Sequence, residues 1–235
     1  MTWYRFWQVL LWGFCRVVAR VRVEGKENLP KTGPFVVVAN HQSYLDPILV
    51  QVSCWRPLHT LAKSTQFAQG GFMAWVMPRI NAIPTRRYRI DPQAVRVLLR
   101  RLEQGEGVGV YPEGERSWDA SLQPFRRGTI RVLLKAGAPI VPCGVVGSYD
   151  IWPRWSRSIR RRPVRVVFGE PIRWQAMHRR REREAFLPEA TQILRDTLAE
   201  LSAWNRLDKD EGSPSSKEGG ERLPPWLVEE DGGAS

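Results

Sequence analysis

The sequence predicts an α/β protein built on a largely parallel sheet flanked by helices. Three observations point there. Short, continuously apolar runs alternate with helix-length amphipathic segments. The runs end in polar loops, as strands do when they feed a helix at the edge of a parallel sheet. The chain has 235 residues and is 43% apolar, which is enough to bury one sizeable core.

At the N-terminus, Trp3, Phe6, Trp7, Leu10, Leu11, Phe14, Val17 and Val18 recur at the spacing of one helical face, with Arg5, Arg16, Arg20 and Arg22 around them. The apolar stretch from Phe6 to Cys15 is broken by Gln8, and falls short of the about 18 to 20 apolar residues that span a bilayer. Arginines follow it and no small-residue cleavage site does, so a cleavable signal peptide is not expected. Residues 1–24 are therefore expected to be an amphipathic helix lying in the lipid interface, with Trp3, Trp7 and Trp12 sunk into it. Packing of that helix on the protein's own core is the plainer alternative.

An α/β domain is expected over 25–204. FVVVAN (35 to 40) reads as a buried central strand, followed by strands at about 58 to 62, 80 to 84, 107 to 111, 139 to 145 and 163 to 169. Helices are expected at about 47 to 54, 65 to 77, 91 to 103, 128 to 136 and 187 to 204, the third opened by Asp91-Pro92. Residues 205–235, rich in Gly, Ser, Pro and Glu, are expected to be a disordered acidic tail.

Net charge is +12, unevenly spread. From Leu207 onward three Lys/Arg stand against eight Asp/Glu, so the tail carries −5 and the body +17. A basic body calls for an anionic partner. Eleven tryptophans beside so many arginines favour an anionic membrane surface over nucleic acid. Cys15, Cys54 and Cys143 share no CxxC spacing and sit among apolar residues, the pattern of reduced thiols on the cytoplasmic side. Three scattered histidines lack ligand spacing, so no metal is expected.

Residues 40 to 47 read NHQSYLDP. On one helix His41 and Asp46 would point about 140° apart. If FVVVAN ends a strand and a helix starts at Pro47 with Asp46 before it, a short loop brings the two together at the sheet's carboxyl edge, where such folds hold ligands. A carboxylate on one imidazole nitrogen then leaves the other to take a proton from a hydroxyl. A satisfied buried histidine beside a helix cap is the bland alternative.

A second strand, VGVY, runs into PEGERSW (112 to 118). Gly114 would let a ligand approach the backbone, Arg116 offers a planar fork for a phosphate, and the Ser117 hydroxyl is a further donor. Thr85-Arg86-Arg87 forms a third basic spot after a strand.

These residues resemble the 1-acyl-sn-glycerol-3-phosphate acyltransferase family of lysophospholipid acyltransferases. Its N-H-x-x-x-x-D-P block is matched by Asn40, His41, Asp46 and Pro47, and its F-P-E-G-T-R-S block by YPEGERS at 111 to 117. Its arginine-ended strand is matched by AIPTRR, and P-I-V-P-V by Pro139 to Cys143. Ala62-Lys63, LQPFRRG and FGEP agree as well. The blocks cover about 28 to 172 in order, whereas Glu115, Asn81 and Ala120 replace a threonine and two glycines of the family pattern.

The resemblance implies a glycerol-3-phosphate acyltransferase-like fold and transfer of a fatty acyl group from acyl-CoA or acyl-ACP to the sn-2 hydroxyl of lysophosphatidate. It implies His41 as general base and Asp46 as its orienting partner. Arg116 and Arg87 would hold the acceptor phosphate, with Glu113, Gly114, Ser117 and Lys63 in the substrate site. No bound cofactor is implied. Such an enzyme would sit on the cytoplasmic face of the cell membrane, peripheral or monotopic. Two alternatives stand beside it: the same chemistry on another lysolipid acceptor, such as a lyso-aminolipid, and a non-enzymatic basic module that binds membrane or nucleic acid.

Overall fold

The computed structural model describes residues 3–68, 75, 77–85, 91–156 and 158–202. The tail at 205–235 and Arg87 lie outside the described residues.

Seven strands form one sheet: β1 (Ala19–Glu24), β2 (Phe35–Ala39), β3 (Leu58–Lys63), β4 (Ala82–Thr85), β5 (Gly107–Val110), β6 (Ile140–Val146) and β7 (Arg162–Phe168). Their order is β1-β7-β6-β2-β5-β3-β4. All neighbours are parallel except β6 and β7. The helices are α1 (Trp3–Val18), α2 (Asp46–Ser53), the short α3 (Thr65–Ala68), α4 (Pro92–Glu103), α5 (Arg127–Ala136) and α6 (Arg180–Ser202). The largely parallel sheet flanked by helices is as the sequence predicts.

β2 lies in the middle, and all five of its residues are buried. Successive side chains alternate faces, so Phe35, Val37 and Ala39 join a core with Cys15 of α1 and Leu49 of α2, while Val36 and Val38 join one with Leu98, Ile130 and Leu194 of α4, α5 and α6. A strand covered on both faces cannot alternate polar with apolar residues, hence the unbroken FVVVA. On the neighbouring β5, Gly107 makes room for its partners: a Cβ there would stand 2.6 Å from the Phe35 ring.

Two boundaries differ from expectation. Residues 19–24 are strand, not helix: β1 pairs in parallel with β7, Val21 against Val164, and puts Arg20 and Arg22 outward. The alternation in ARVRVE is a period of two; its arginines had suggested helix anchors. The last helix starts at Arg180 rather than near 187, with Pro188 inside it. Proline favours a first helical turn, but here the preceding turns are held tertiarily, because Glu184 receives two hydrogen bonds from Arg131 of α5, at 2.7 and 2.9 Å.

α1 is amphipathic, but not every tryptophan faces out. Trp3 is 58% exposed whereas Trp7 is 6% exposed, turned inward and edge-on to Trp75 with centroids 4.9 Å apart. Trp12 is half-buried. The outward apolar face is Trp3, Phe6, Val9, Leu10, Phe14 and Val17. Gln8 has a structural reason to interrupt the run: its amide donates to the carbonyls of Gln51 and Cys54, at 3.0 and 2.6 Å, and so satisfies the C-terminal end of α2. Among the described residues no helix is long and apolar enough to cross a membrane.

Candidate active site

Parallel strands β2 and β5 are neighbours, so the loops that follow them leave the sheet side by side at its carboxyl edge. Asn40 fixes the first loop, its buried side-chain amide bonding both the N–H and the carbonyl of Val145 on β6, at 2.7 and 2.9 Å. Beyond it His41 Nδ1 stands 2.9 Å from Asp46 Oδ2. The predicted pair forms.

Asp46 reaches it in an unpredicted way. It does not cap α2, whose N-cap is Leu45, with no side-chain hydrogen bond. The loop folds back so that the amides of Gln42 and Ser43 also converge on Oδ2, at 2.6 and 2.7 Å. Asp46 is fully buried, and a buried carboxylate needs such donors. It selects the tautomer with the proton on Nδ1, which makes Nε2 the basic nitrogen. The Tyr111 ring lies 4.4 Å from the imidazole, centroid to centroid. Burial pushes the Tyr111 hydroxyl well above its ordinary pKa, and nearby Asp46 adds to this, so the phenol stays neutral.

The second loop closes onto the first. The Ser117 amide donates to the His41 carbonyl at 2.7 Å. Glu113 takes the His41 amide on one carboxylate oxygen at 2.7 Å and the Gln123 amide on the other at 2.9 Å. Burial pushes the Glu113 carboxyl up to about 8, against the two amides that favour its ionised form. The resemblance implied a substrate role for Glu113 and Ser117; the geometry gives both side chains inward work. The Ser117 hydroxyl donates to Asp119 at 3.1 Å and accepts from Gln123 at 3.3 Å. The cause is loop curvature: Gly114 has φ +72°, turning the chain so that its neighbours face the backbone of the first loop. A Cβ on Gly114 would meet Arg126 Nε at 2.0 Å, so the glycine makes room for that guanidinium.

Arg116 is 8% exposed. Its guanidinium carbon lies 3.3 Å from the centroid of the Tyr44 ring, and its Nη1 is buried with no hydrogen-bond partner among the described residues. A buried donor of this kind suits an anionic ligand. Lys63, the last residue of β3, is on the same sheet edge, two strands from β2, or about 10 Å by strand spacing. His41, Asp46, Glu113, Gly114, Arg116 and Ser117 are thus brought together, with Lys63 further along the edge.

Tyr44, Tyr111, Arg126 and Arg154 escaped the sequence reading. Tyr44 in NHQSYLDP, Tyr111 in YPEGERS and Arg126 in LQPFRRG each stood in a quoted motif, a usable signal; Arg154 had none beyond lying near a polar loop. A separate cavity of about 470 Å³ opens between β4 and α4, walled by Ile83, Pro84, Ala94 and Val97 with His59 and Arg101, and none of the predicted site residues lines it.

A mostly parallel sheet with a carboxylate-aimed imidazole at its carboxyl edge defines an α/β protein with a candidate general base. A family model described as Acyltransferase matches residues 20–146, and the chain belongs to that family. It is 34% identical over 156 residues to a chloroplast 1-acyl-sn-glycerol-3-phosphate acyltransferase of Brassica napus, a match covering 64% of this chain and 44% of that protein. It is 28% identical over 191 residues to a 1-acyl-sn-glycerol-3-phosphate acyltransferase of Bacillus subtilis, covering 80% of this chain and 90% of that one. The chain thus spans less than half the length of the plant relative. The crystal structure of the 1-acyl-sn-glycerophosphate acyltransferase PlsC from Thermotoga maritima superposes with a TM-score of 0.68 at 25% identity, covering 84% of this chain and 80% of that chain.

Proposed function

We propose that this protein is a membrane-associated O-acyltransferase that moves a fatty acyl group from acyl-CoA or acyl-ACP to the sn-2 hydroxyl of 1-acyl-glycerol-3-phosphate, giving phosphatidic acid. The observation that carries the reading is the 2.9 Å contact between His41 Nδ1 and Asp46 Oδ2, with that oxygen held by two backbone amides. The names of the relatives support the acceptor.

His41 Nε2 takes the proton of the acceptor hydroxyl as its oxygen attacks the thioester carbonyl. The tetrahedral adduct collapses with cleavage of the carbon–sulfur bond, and the imidazolium returns the proton to the departing thiolate. Asp46 stabilises the imidazolium between the two steps. Holding hydroxyl and thioester in contact replaces a bimolecular encounter. Arg116, through its buried Nη1, receives the acceptor phosphate, with Arg87 and Lys63 adding positive charge.

Both acceptor and product live in a bilayer. The outward apolar face of α1 supplies the attachment, and each basic residue near anionic lipid adds on the order of 1 kcal/mol. The acidic tail and the cytoplasmic placement belong to the same proposal.

The test is a panel of lysolipid acceptors supplied with acyl-CoA or acyl-ACP. Transfer to 1-acyl-glycerol-3-phosphate is expected to dominate; transfer solely to acceptors without a phosphomonoester would overturn the acceptor assignment. Because β1 follows α1 directly and belongs to the sheet, the anchor is better removed by changing Trp3, Phe6, Leu10 and Phe14 to serine than by deletion. That variant is expected to leave anionic liposomes in a flotation assay; one that stays fully bound places the attachment elsewhere.

A further inference from the structure

The β6–β7 connection reaches the second loop through a side chain that no motif marks. Arg154 Nη1 donates to Glu115 Oε2 at 3.0 Å and to the Arg116 carbonyl at 3.4 Å. Its guanidinium carbon lies 3.6 Å from the centroid of the Trp118 ring. Two residues earlier, Trp152 packs on Tyr44, centroids 5.0 Å apart, and Tyr44 in turn stacks on Arg116. Arg154 therefore grips the turn carrying Arg116 at three points: the side chain of Glu115, the backbone of Arg116 and the ring of Trp118.

Glu115 gives this grip a chemical meaning. It is an acid adjacent in sequence to the arginine whose buried Nη1 has no partner among the described residues. An uncompensated carboxylate there would repel a dianionic phosphate. The ion pair is partly shielded, with 22% of the Arg154 side chain and 31% of the Glu115 side chain exposed, so salt screens it less than a surface pair. The Trp118 ring holds the guanidinium in place.

We propose that Arg154 is a specificity-determining residue: by neutralising Glu115 it keeps the turn 113–117 receptive to a phosphomonoester acceptor, without itself touching the reacting atoms. This rests on the acceptor assignment made above. Arg154 offsets a local departure in charge with a residue from a different loop, 39 positions away.

The measurement is initial-rate kinetics of the full chain on anionic vesicles with 1-acyl-glycerol-3-phosphate and acyl-CoA or acyl-ACP, for the parent, Arg154→Ala, Arg154→Lys and the double variant Arg154→Ala/Glu115→Gln. Arg154→Ala is expected to raise the acceptor KM about tenfold or more, with kcat and donor KM changing less than about threefold. The double variant is expected to return the acceptor KM to within about threefold of the parent, since the charge that needed neutralising is gone. Arg154→Lys, which keeps the ion pair, is expected to fall between parent and Arg154→Ala.

A merely structural Arg154 would give a double variant at least as impaired as the single one, with kcat and donor KM shifted too. That outcome, or an unchanged acceptor KM in Arg154→Ala, overturns the inference while leaving the proposed function standing. If Arg154→Ala fails to fold, the double and Arg154→Lys carry the same decision. A parent enzyme that refuses phosphomonoester acceptors overturns the acceptor assignment and this inference together.

Discussion

The two loops at the carboxyl edge, 40–46 after β2 and 111–118 after β5, are neighbours of similar length, yet they spend their polar groups in opposite ways. In the first, side chain meets side chain: His41 and Asp46 pair, and nearby amides hold the carboxylate. In the second, Glu113 takes backbone amides and Ser117 the side chains of Asp119 and Gln123, while Arg116 keeps a buried donor without a partner among the described residues. In the proposed mechanism one loop carries the proton; the other frames it and offers a cation. Removing a group from the first should therefore cost rate, and removing one from the second should cost stability or affinity.

The sharpest break is His41→Ala, expected to lower turnover by about 10² or more with liposome binding and melting temperature retained. A variant acylating lysophosphatidate at the parental rate would defeat the enzymatic reading. Asp46→Asn should follow closely, with a rate loss of about 10² to 10⁴, because an amide can present its NH₂ to Nδ1 and trap the other tautomer. It should also lose stability, since two amides rely on the same oxygen.

Glu113→Gln tests the other half. One carboxamide position must set an NH₂ against a backbone N–H, so a loss of about 1 to 3 kcal/mol is expected in denaturant unfolding. Its pH signature is distinct. Burial raises the Glu113 carboxyl to about 8 in the fold, so its stabilising contribution is complete below the ordinary value of 4.5 and is lost as pH rises through about 8. Glutamine cannot titrate, so the difference in melting temperature between parent and variant should shrink from pH 5 to pH 9. A difference that stays constant over that range would mean that the carboxyl is ionised throughout.

The smallest effect lies in the turn after the second loop. Ala120 holds φ +65° while its carbonyl accepts from Gln42 at 2.6 Å, linking the two loops. A left-handed non-glycine residue is strained, so Ala120→Gly should raise stability by about 0.5 to 1 kcal/mol with activity unchanged. Asn81, the other residue where the family pattern carries glycine, also has positive φ, at 56°. A destabilised Ala120→Gly would show that the turn is relaxed as it stands.

Much of this was legible beforehand. The unbroken FVVVA announced a strand covered on both faces. The spacing of His41 and Asp46, wrong for one helix, already required a loop between them. PEGERS was legible as a strand-end turn, but the partners of its side chains were not: nothing in the string says that Glu113 will meet the amide of His41. The inward turn of Trp7 was equally hidden, because it depends on Trp75 standing opposite. β1 is in principle visible in ARVRVE, but arginines beside an apolar helix also suit a membrane interface, so the string alone does not decide between them.

By itself the sequence determined periodicity, strand and helix order, the sign of the charge and the chemistry available at each loop, since these depend on residues a few positions apart. Tertiary structure decided which groups spend their hydrogen bonds on one another. That follows from strand order: β5 inserts beside β2 and carries Glu113 across 72 positions to His41, and a buried donor or acceptor pairs with whatever that neighbour brings.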